Sequence, residues 1–491
     1  MNGGAVLALD QGTTGSTALV VSADGGILAR AYSEFAQHFP RPGWVEHDAD
    51  EIWRTTRRVA REALAGARAE VAAIGIANQR ETVVLWDPET LTPLRRAVVW
   101  QDRRSEAICR ELKRAGHEKM VRRRTGLVLD PYFPGTKLRW LLERDRELAG
   151  RAERGELAVG TIDSWLVAKL TAGAVHATDH TNASRTLLYD LESGDWSPEL
   201  LSLMGVPTRA LPEVRPSRGD FGVAVGDALG DELPIGAVVG DQQAALYGQG
   251  CWEGGAGKCT YGTGAFLLLH TGRRRTFSKH GLLATVACDA NGGRAYALEG
   301  SIFAAGAAIQ WLRDGLGVLE HAADSETLAR SLEVNDGVYM VPAFTGLGAP
   351  HWRPDARASI VGLTRGTTRA HLARAALEAM AYGTRELLGA MQMDAGRAPK
   401  ALRVDGGAAL NDWLMGFLAG ILDLPVVRPA MVETTALGAA GLAGLSAGVW
   451  SAPADFAAAF GVGRRFEPTM GTEERAGLVA GWERAVKSVL T

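Results

Sequence analysis

The alternation of apolar and polar positions near the N-terminus predicts a β-hairpin. Apolar runs at residues 6–9 and 18–21 flank the polar segment "DQGTTGST", and two such runs around a short glycine turn are typical of paired antiparallel strands. The predicted tip consists of Gly12, Thr13, Thr14 and Gly15. Such a tip offers N–H groups and hydroxyls that suit phosphate oxygens, and the preceding Asp10 suits a magnesium ion. An ordinary hairpin turn is the simpler interpretation of this stretch alone.

The same plan recurs near the middle of the chain, in "CTYGTGAFLLLH" at residues 259–270. Before it, the apolar run "LPIGAVVG" leads into Asp241 and a predicted helix. Two similar hairpins, one opening each half, predict two related domains that face a shared phosphate site. We place the domains at residues 1–250 and 251–491, with the seam in the glycine-bearing segment "CWEGGAG".

Helical periodicity is clearest at residues 51–67 and 411–422, where apolar side chains recur on one face. Residues 434–454 carry no charge and are long enough to raise the question of a membrane span. They are mostly Ala, Gly and Ser, and Pro453 ends the stretch, so we predict a small-residue helix buried inside the protein. Short strands that alternate with such helices predict an α/β fold.

Composition narrows the class of protein. A chain of 491 residues is longer than one hydrophobic core usually serves, which favours two domains. A formal net charge of -3 gives no electrostatic case for binding nucleic acid or an anionic membrane. The four cysteines lack the spacing of a zinc site or a disulfide framework. With no signal-peptide pattern in "MNGGAVLALD", they indicate reduced thiols in a cytoplasmic protein.

Candidate chemistry lies in three polar segments, "NQRET", "AVVWQDRR" and "GDQQAALYGQG". Arg80 and Glu81 follow a strand-like run, and open α/β sheets usually bind ligands at strand ends. A surface ion pair is the alternative for that pair, and a helix cap is the alternative for Asp241. The segment "GGAGKCT" is not a P-loop, because Trp252 stands where the first glycine is needed.

Taken in order, these segments resemble the glycerol kinases of the FGGY carbohydrate kinase family over nearly the whole chain. The further matching blocks are "GWVEHDADEIW", "DPYFPGTKLRWLL", "TIDSWLV", "AGAAIQWLRDGL", "FTGLGAPHWRPDARASIVGLTRGTT", "RVDGGAALNDWLMGFLAGIL" and "ETTALGAAGLAGL". Within the family, the block "NQRET" points to glycerol as the substrate. The resemblance implies two actin-like domains of the ribonuclease H type, with ATP and substrate in the cleft between them.

The resemblance also implies roles for individual residues. Asp241 would be the catalytic base that takes a proton from the terminal hydroxyl, and Asp10 and Asp241 would hold magnesium. Glycerol would lie against Arg80, Glu81, Trp100, Tyr132, Asp241, Gln242 and Phe266. ATP would lie against Gly12, Thr13, Thr14, Thr263, Gly306, Gln310, Gly407 and Asn411. Family members are commonly dimers or tetramers, so we expect a homodimer or homotetramer.

One position departs from the family pattern. Members usually carry an arginine, or a lysine in sugar kinases, three residues past the second threonine of the first hairpin, where it reaches toward the transferred phosphate, and this chain has Thr17 there. Losing that cation would cost roughly 10³-fold in rate by analogy with arginine fingers, unless another basic group or the metal supplies the charge. We expect retained activity, because Asp10, Asp241 and the predicted glycerol residues are intact. Two other functions fit the sequence: a kinase for another small polyol or sugar, and a non-catalytic actin-like ATP switch.

Overall fold

The computed structural model describes residues 4–353, 355–461 and 463–490. The first half of the chain alternates strands and helices around a six-stranded sheet and a five-stranded sheet. Its elements are β1 (Ala5–Gln11), β2 (Gly15–Ser22), β3 (Ile27–Glu34), β4 (Glu46–His47), α1 (Ala49–Ala67), β5 (Val71–Asn78), β6 (Val83–Asp87), β7 (Thr92–Pro93), β8 (Ala97–Val98), α2 (Glu106–Arg114), α3 (Glu118–Thr125), α4 (Pro134–Arg144), α5 (Arg146–Arg154), β9 (Ala158–Thr161), α6 (Ile162–Leu170), β10 (Ala177–Asp179), α7 (His180–Ala183), β11 (Tyr189–Asp190), β12 (Asp195–Trp196), α8 (Pro198–Met204), β13 (Glu213–Arg215), β14 (Val223–Ala224), α9 (Gly226–Leu229), β15 (Leu233–Gly240) and α10 (Asp241–Gly248).

The second half is built around a seven-stranded sheet. Its elements are β16 (Gly257–Tyr261), β17 (Ala265–Gly272), β18 (Leu283–Cys288), β19 (Arg294–Ile302), α11 (Gly306–Gln310), α12 (Asp324–Arg330), β20 (Tyr339–Val341), β21 (Ser359–Val361), α13 (Arg369–Ala395), β22 (Leu402–Asp405), α14 (Asp412–Leu422), β23 (Val426–Arg428), α15 (Thr434–Ala447), α16 (Pro453–Phe460), β24 (Arg464–Phe466) and α17 (Thr472–Leu490).

The six-stranded sheet has the order β14-β15-β5-β1-β2-β3. Strands β1 and β2 pair antiparallel around a tip at Gly12–Thr14, which confirms the first predicted hairpin. Strands β1, β5 and β15 run parallel, with Asp10 opposite Ala77 and Ala77 opposite Val239. Because parallel strands bring their carboxyl ends to one edge, the residues that follow β1, β5 and β15 meet there.

The seven-stranded sheet has the order β18-β19-β17-β16-β22-β23-β24. Its central antiparallel pair, β16 and β17, is the second predicted hairpin, which is thereby confirmed. Side chains that are opposite each other in neighbouring strands share a face of the sheet. Lys258, Leu268 and Glu299 form one such row, and Thr260, Phe266 and Ser301 form the next. One face of this sheet therefore carries Lys258, Phe266 and Glu299.

Helix α15 lies on the six-stranded sheet, although it comes near the end of the chain. Its residues Ala439 and Ala443 share a buried core with Val6, Ala73 and Val239. The helix is built of small residues, as predicted, and it ends at Ala447 with Gly448 in the left-handed conformation at φ 75°. The boundary at residue 250 stays a prediction.

The prediction that Pro453 ends the small-residue helix is wrong, because α15 already ends at Ala447. Pro453 is the first residue of α16, where its missing N–H costs nothing, because the first turn of a helix has no partner for that group. Among the described residues, no helix is both long and apolar enough to cross a membrane. All four cysteines are buried free thiols, as the sequence predicts.

Candidate active site

The edge where β1, β5 and β15 end carries the candidate catalytic residues. Asp10 is the penultimate residue of β1, Arg80 and Glu81 follow β5, and Asp241 opens α10 directly after β15. This confirms that Arg80 and Glu81 lie at a strand end. Gly240 makes room for Arg80, because a Cβ there would come within 2.8 Å of the arginine Cδ.

Arg80 and Glu81 belong to a group of charges that we call the ion cluster: the buried Arg80, Glu81, Arg185 and Glu299, and the half-buried Asp241. The Arg80 Nη1 donates to Glu299 Oε2 at 2.6 Å, and the Arg80 Nε lies 3.1 Å from Asp241 Oδ1. Arg185 donates from Nε to Glu81 Oε1 and from Nη2 to Glu299 Oε1, both at 2.7 Å. Two arginines thus hold three carboxylates in fixed orientations.

Polar atoms of the ion cluster remain available for a ligand. Both Nη1 hydrogens of Arg80 are used, by Glu299 and by Gln243 at 3.1 Å, and one Nη2 hydrogen points to Glu299 at 3.4 Å. Because the Nε hydrogen faces Asp241, one of the five guanidinium N–H groups has no partner among the described residues. Among the described residues, no hydrogen bond reaches Glu81 Oε2 or Asp241 Oδ2. The site therefore offers one N–H donor and two carboxylate oxygens.

Glu81 has a strained backbone. Its φ of 61° places a non-glycine residue in the left-handed region, a conformation that costs free energy and is concentrated at functional sites. The buried Lys137 lies behind it, with Nζ donating to the Tyr132 carbonyl oxygen at 3.0 Å and to that of Glu81 at 3.5 Å. Burial lowers the pKa of Lys137 to about 7.

The carboxyl groups of Asp10 and Asp241 are electrostatically coupled. Burial and the negative charge of Asp241 raise the pKa of Asp10 to about 7. Burial raises the pKa of Asp241 as well, although Arg80, the Gln242 N–H and Lys258 act against that shift. Two half-buried carboxylates that repel each other suit a hard divalent cation with oxygen ligands, so both residues fit the predicted magnesium.

Aromatic side chains cover a neighbouring part of the site. Trp100 and Tyr132 pack edge to face, with ring centroids 5.5 Å apart. The Trp100 Nε1 donates to Thr13 Oγ1 at 3.0 Å, which ties this aromatic pair to the first hairpin tip. Phe266 lies on β17, on the face of the second sheet that carries Glu299. Among the described residues, Phe266 forms no ring pair with Trp100 or Tyr132.

Gln242 is held from the second half of the chain. Lys258 on β16 donates from Nζ to Gln242 Oε1 at 2.5 Å and to Thr260 Oγ1 at 2.6 Å. With its oxygen engaged, the Gln242 side chain has two amide hydrogens left to donate. Burial lowers the pKa of Lys258, while Asp405 and Asp241 act in the opposite direction.

The two hairpin tips are accessible. Thr14 and Thr263 are exposed, while Thr13 is half-buried under Trp100. The first tip is closed by Gly12 N–H donating to the Gly15 carbonyl at 2.9 Å, and the second, one residue shorter, by Gly262 N–H donating to the Gly264 carbonyl at 2.9 Å. Both tips are short turns closed by a glycine N–H, and phosphate binding by them stays a prediction.

The predicted adenosine residues surround the second tip only in part. Gly306 lies against it, since a Cβ there would come within 2.6 Å of the Gly262 carbonyl oxygen. Gly407 is exposed and follows β22, and the exposed Gln310 ends α11. The Asn411 Oδ1 caps α14 by accepting from Leu414 N–H at 2.9 Å, so only its amide hydrogens remain for a ligand.

The sequence did not single out Arg185, Glu299 or Lys258. Arg185 stands in "TNASRT" and Glu299 within the alternating strand "RAYALEGSI", where a lone charge on a strand is more often exposed. A signal was available at Glu299, because the strand's other positions 295–300 are uncharged. Only the fold shows that all three side chains are buried at the site.

Comparison with known proteins establishes the family of this chain. Residues 5–248 match the N-terminal domain of the FGGY family of carbohydrate kinases, and residues 257–447 match the C-terminal domain. The chain therefore belongs to the FGGY family of carbohydrate kinases. This confirms the family predicted from the sequence motifs, together with the two-part α/β fold.

Within that family, curated glycerol kinases are similar to this chain over nearly its whole length. The glycerol kinase of Alkalilimnicola ehrlichii is 54% identical, with 98% of each chain covered, and that of Deinococcus radiodurans is 54% identical, with 98% of this chain and 96% of the relative covered. The crystal structure of Plasmodium falciparum glycerol kinase with ADP is similar at a TM-score of 0.93 and 34% identity, covering 100% of this chain and 99% of that one.

Proposed function

We propose that this protein transfers the γ-phosphate of ATP to glycerol, giving sn-glycerol 3-phosphate and ADP, the first step of glycerol breakdown. The observation that carries the proposal is Asp241 Oδ2, which accepts no hydrogen bond from the described part of the chain and lies next to the Arg80–Glu81 pair at the edge where β1, β5 and β15 end. The similarity to glycerol kinases along nearly the full chain supports glycerol over other polyols.

Glycerol recognition follows from the atoms that the ion cluster leaves unpaired. A vicinal pair of hydroxyls can accept from the remaining Arg80 N–H and donate to Glu81 Oε2, while Gln242 donates from its amide. Trp100, Tyr132 and Phe266 supply apolar surface for the carbon chain. A site that pairs every hydroxyl discriminates strongly against analogues that leave its buried polar atoms unpaired.

Asp241 is the proposed base for the reaction. Its Oδ1 accepts from the Gln242 N–H at 2.6 Å and faces Arg80 Nε, which orients the carboxylate and leaves Oδ2 for the terminal hydroxyl of glycerol. Asp10 and Asp241 would hold Mg²⁺, which supplies charge neutralisation at the phosphates when bound. The hairpin tips would donate to the phosphates from Thr13, Thr14 and Thr263, while Gly12, which has no side chain, would let the phosphates approach the backbone.

The nucleotide would be ATP, bound by the second half. We propose that Gly306, Gln310, Gly407 and Asn411 line the adenosine pocket, since Gly306 lies directly against the second hairpin tip. We also propose a cytoplasmic location, which the four buried free thiols support, and assembly into a homodimer or homotetramer.

The test is ATP-dependent phosphorylation of glycerol by the purified protein beside Asp241→Asn. We expect wild-type turnover and a loss in kcat of at least about 10²-fold in the variant, the lower range for a positioned base. Asp324→Asn is the matched control, because Asp324 also opens a helix but lies on α12. Equal use of a pentulose would contradict glycerol as the substrate, and full activity of Asp241→Asn would contradict the assigned base.

A further inference from the structure

Glu299 is one carboxylate that binds two arginines from the other half of the protein. Its Oε2 accepts from Arg80 at 2.6 Å and its Oε1 from Arg185 at 2.7 Å. Glu299 lies on β19 of the second sheet, whereas Arg80 follows β5 and Arg185 follows α7. The carboxylate therefore fixes two first-half side chains against a strand of the second half.

Arg185 has the complementary arrangement. It is fully buried, bonded through Nε to Glu81 and through Nη2 to Glu299, so it bridges two carboxylates. Its Nη1 has no hydrogen-bond partner among the described residues, and the guanidinium lies 5.4 Å from the Phe133 ring centroid and 6.0 Å from that of Tyr132. Attraction to the two ring faces offsets part of that unpaired donor.

A buried ion cluster contributes little to the net free energy of folding. Removing charges from water costs several kcal/mol per ion, and well-packed apolar side chains are often as stable as a buried ion network. Burial would raise the pKa of Glu299, but Arg185 and Arg80 lower it to about 2, so the carboxylate stays ionised. This cost in free energy is explained if the ion cluster orients side chains that bind a ligand.

We propose that Glu299 and Arg185 are positioning residues for substrate recognition: Glu299 holds Arg80, and Arg185 holds Glu81, so that one N–H and one carboxylate oxygen remain for substrate hydroxyls. This inference rests on the proposed function. Glu299 takes up N–H groups of Arg80 on both terminal nitrogens, and Arg185 takes up Oε1 of Glu81. Neither positioning residue needs to touch the substrate itself.

The consequence is a selective effect on glycerol. In Glu299→Gln, the amide keeps the shape and one acceptor but loses the charge, so Arg80 and Arg185 are held more weakly. We expect the glycerol KM and the calorimetric glycerol Kd to rise at least tenfold, while the ATP KM stays within twofold. The preference for glycerol over 1,2-propanediol should fall as well, because the hydroxyl partners are no longer fixed.

The experiment compares wild type with Glu299→Gln, Glu299→Asp and Arg185→Lys. Glu299→Asp keeps the charge on a shorter side chain, so part of the glycerol affinity should return. The matched control is Glu378→Gln, since Glu378 is a buried carboxylate bonded to Arg374 at 2.7 Å on α13, away from the ion cluster. Thermal unfolding of every variant identifies those that fail to fold.

Unchanged glycerol KM and Kd in folded Glu299→Gln and Arg185→Lys would overturn the inference while leaving the proposed function intact. Equal rises in the glycerol and ATP KM, matched by Glu378→Gln, would also overturn it, because they indicate a general loss of structure. Wild-type protein that neither binds nor phosphorylates glycerol would overturn the proposed function and the inference together.

Discussion

Thr17 lies beside Asp10 on the first hairpin. It is opposite Asp10 in the antiparallel pairing of β1 and β2, so the two side chains share one face of the sheet. An arginine there would extend over the carboxylate edge that carries Asp10 and Asp241. The ion cluster already has Arg80 and Arg185, but both are engaged by carboxylates, so neither is free to replace the missing cation.

We therefore predict that Thr17→Arg raises kcat for glycerol phosphorylation by at least about tenfold, within the roughly 10³-fold range of an added arginine at a transferred phosphate. Steady-state kinetics at saturating glycerol and ATP measure the change. Thr17→Gln is the control, because it adds length and polarity without charge. A decrease in kcat with arginine would show that the site uses another source of positive charge.

Asp10 gives a prediction for stability against pH. Its pKa is raised from the usual 3.8 to about 7 in the folded protein, so the folded state binds more protons than the unfolded state between these values. The stabilisation from protonation is present at low pH and lost as pH rises through about 7. Above that pH, the folded protein contains a half-buried, ionised carboxylate that disfavours folding.

Asp10→Asn should therefore raise the Tm by several degrees at pH 8 and by less at pH 5.5, while abolishing magnesium-dependent turnover. Thermal unfolding in the presence of a chelator measures the Tm at each pH, and steady-state kinetics with magnesium measure the turnover. The exposed Asp231 supplies the control Asp231→Asn, for which we expect no comparable change. An equal gain at both pH values would contradict the assignment of the penalty to ionised Asp10.

At the scale of elements, α10 and α15 pack closely enough for their backbones to touch. A Cβ at Gly438 would overlap the Ala244 carbonyl, and one at Gly248 would overlap the Thr434 carbonyl. The small residues of α15 are therefore explained by this contact with the helix that begins at Asp241. Displacing α10 would move Asp241 relative to Asp10.

We predict that Gly438→Ala lowers the free energy of unfolding by about 1–3 kcal/mol or more, the usual range for overpacking, and lowers kcat as well. Denaturant unfolding and glycerol kinetics measure the two effects. Gly416→Ala is the matched control, because Gly416 lies inside α14 and a Cβ there meets nothing within 4 Å. That variant should gain about 0.5–1 kcal/mol, and a Gly438→Ala variant as stable as wild type would contradict the close packing.

At the scale of the whole molecule, the first half is completed by a segment from the end of the chain. Trp450 and Phe456 join the core that α15 shares with the six-stranded sheet, and the Trp450 Nε1 donates to the Ala23 carbonyl at 2.9 Å. The Ser446 hydroxyl donates to the Gly236 carbonyl at 2.8 Å. Without this segment, one face of the sheet would be exposed to water.

We predict that a fragment of residues 4–250 does not unfold cooperatively and binds the dye ANS, because it exposes the apolar face that α15 and α16 cover. Joining residues 427–461 to it through a flexible linker should restore a cooperative transition. Calorimetry measures the unfolding transition of each fragment, and ANS fluorescence measures its exposed apolar surface. A cooperative transition in the shorter fragment alone would contradict the prediction.

The local elements were readable from the sequence because their signals are local. The two hairpins, α1 and α14 follow from periodicity and turn residues within a few positions. The end of α15 was predicted wrongly, because a proline can either follow the end of one helix or begin the next. Gly448 marks the end of α15, and Pro453 begins α16. The family, too, could be identified from ordered motifs without any knowledge of contacts.

Local patterns establish the fold class, the hairpins, and the strand ends at which Arg80, Glu81 and Asp241 lie. Only the folded chain shows that Glu299 meets Arg80 and Arg185 across the two halves, and that α15 packs on the first sheet. The physical reason is separation along the chain: Arg80 and Glu299 are 219 residues apart. No local pattern encodes which buried charges will neutralise each other, since that depends on how two sheets are brought face to face.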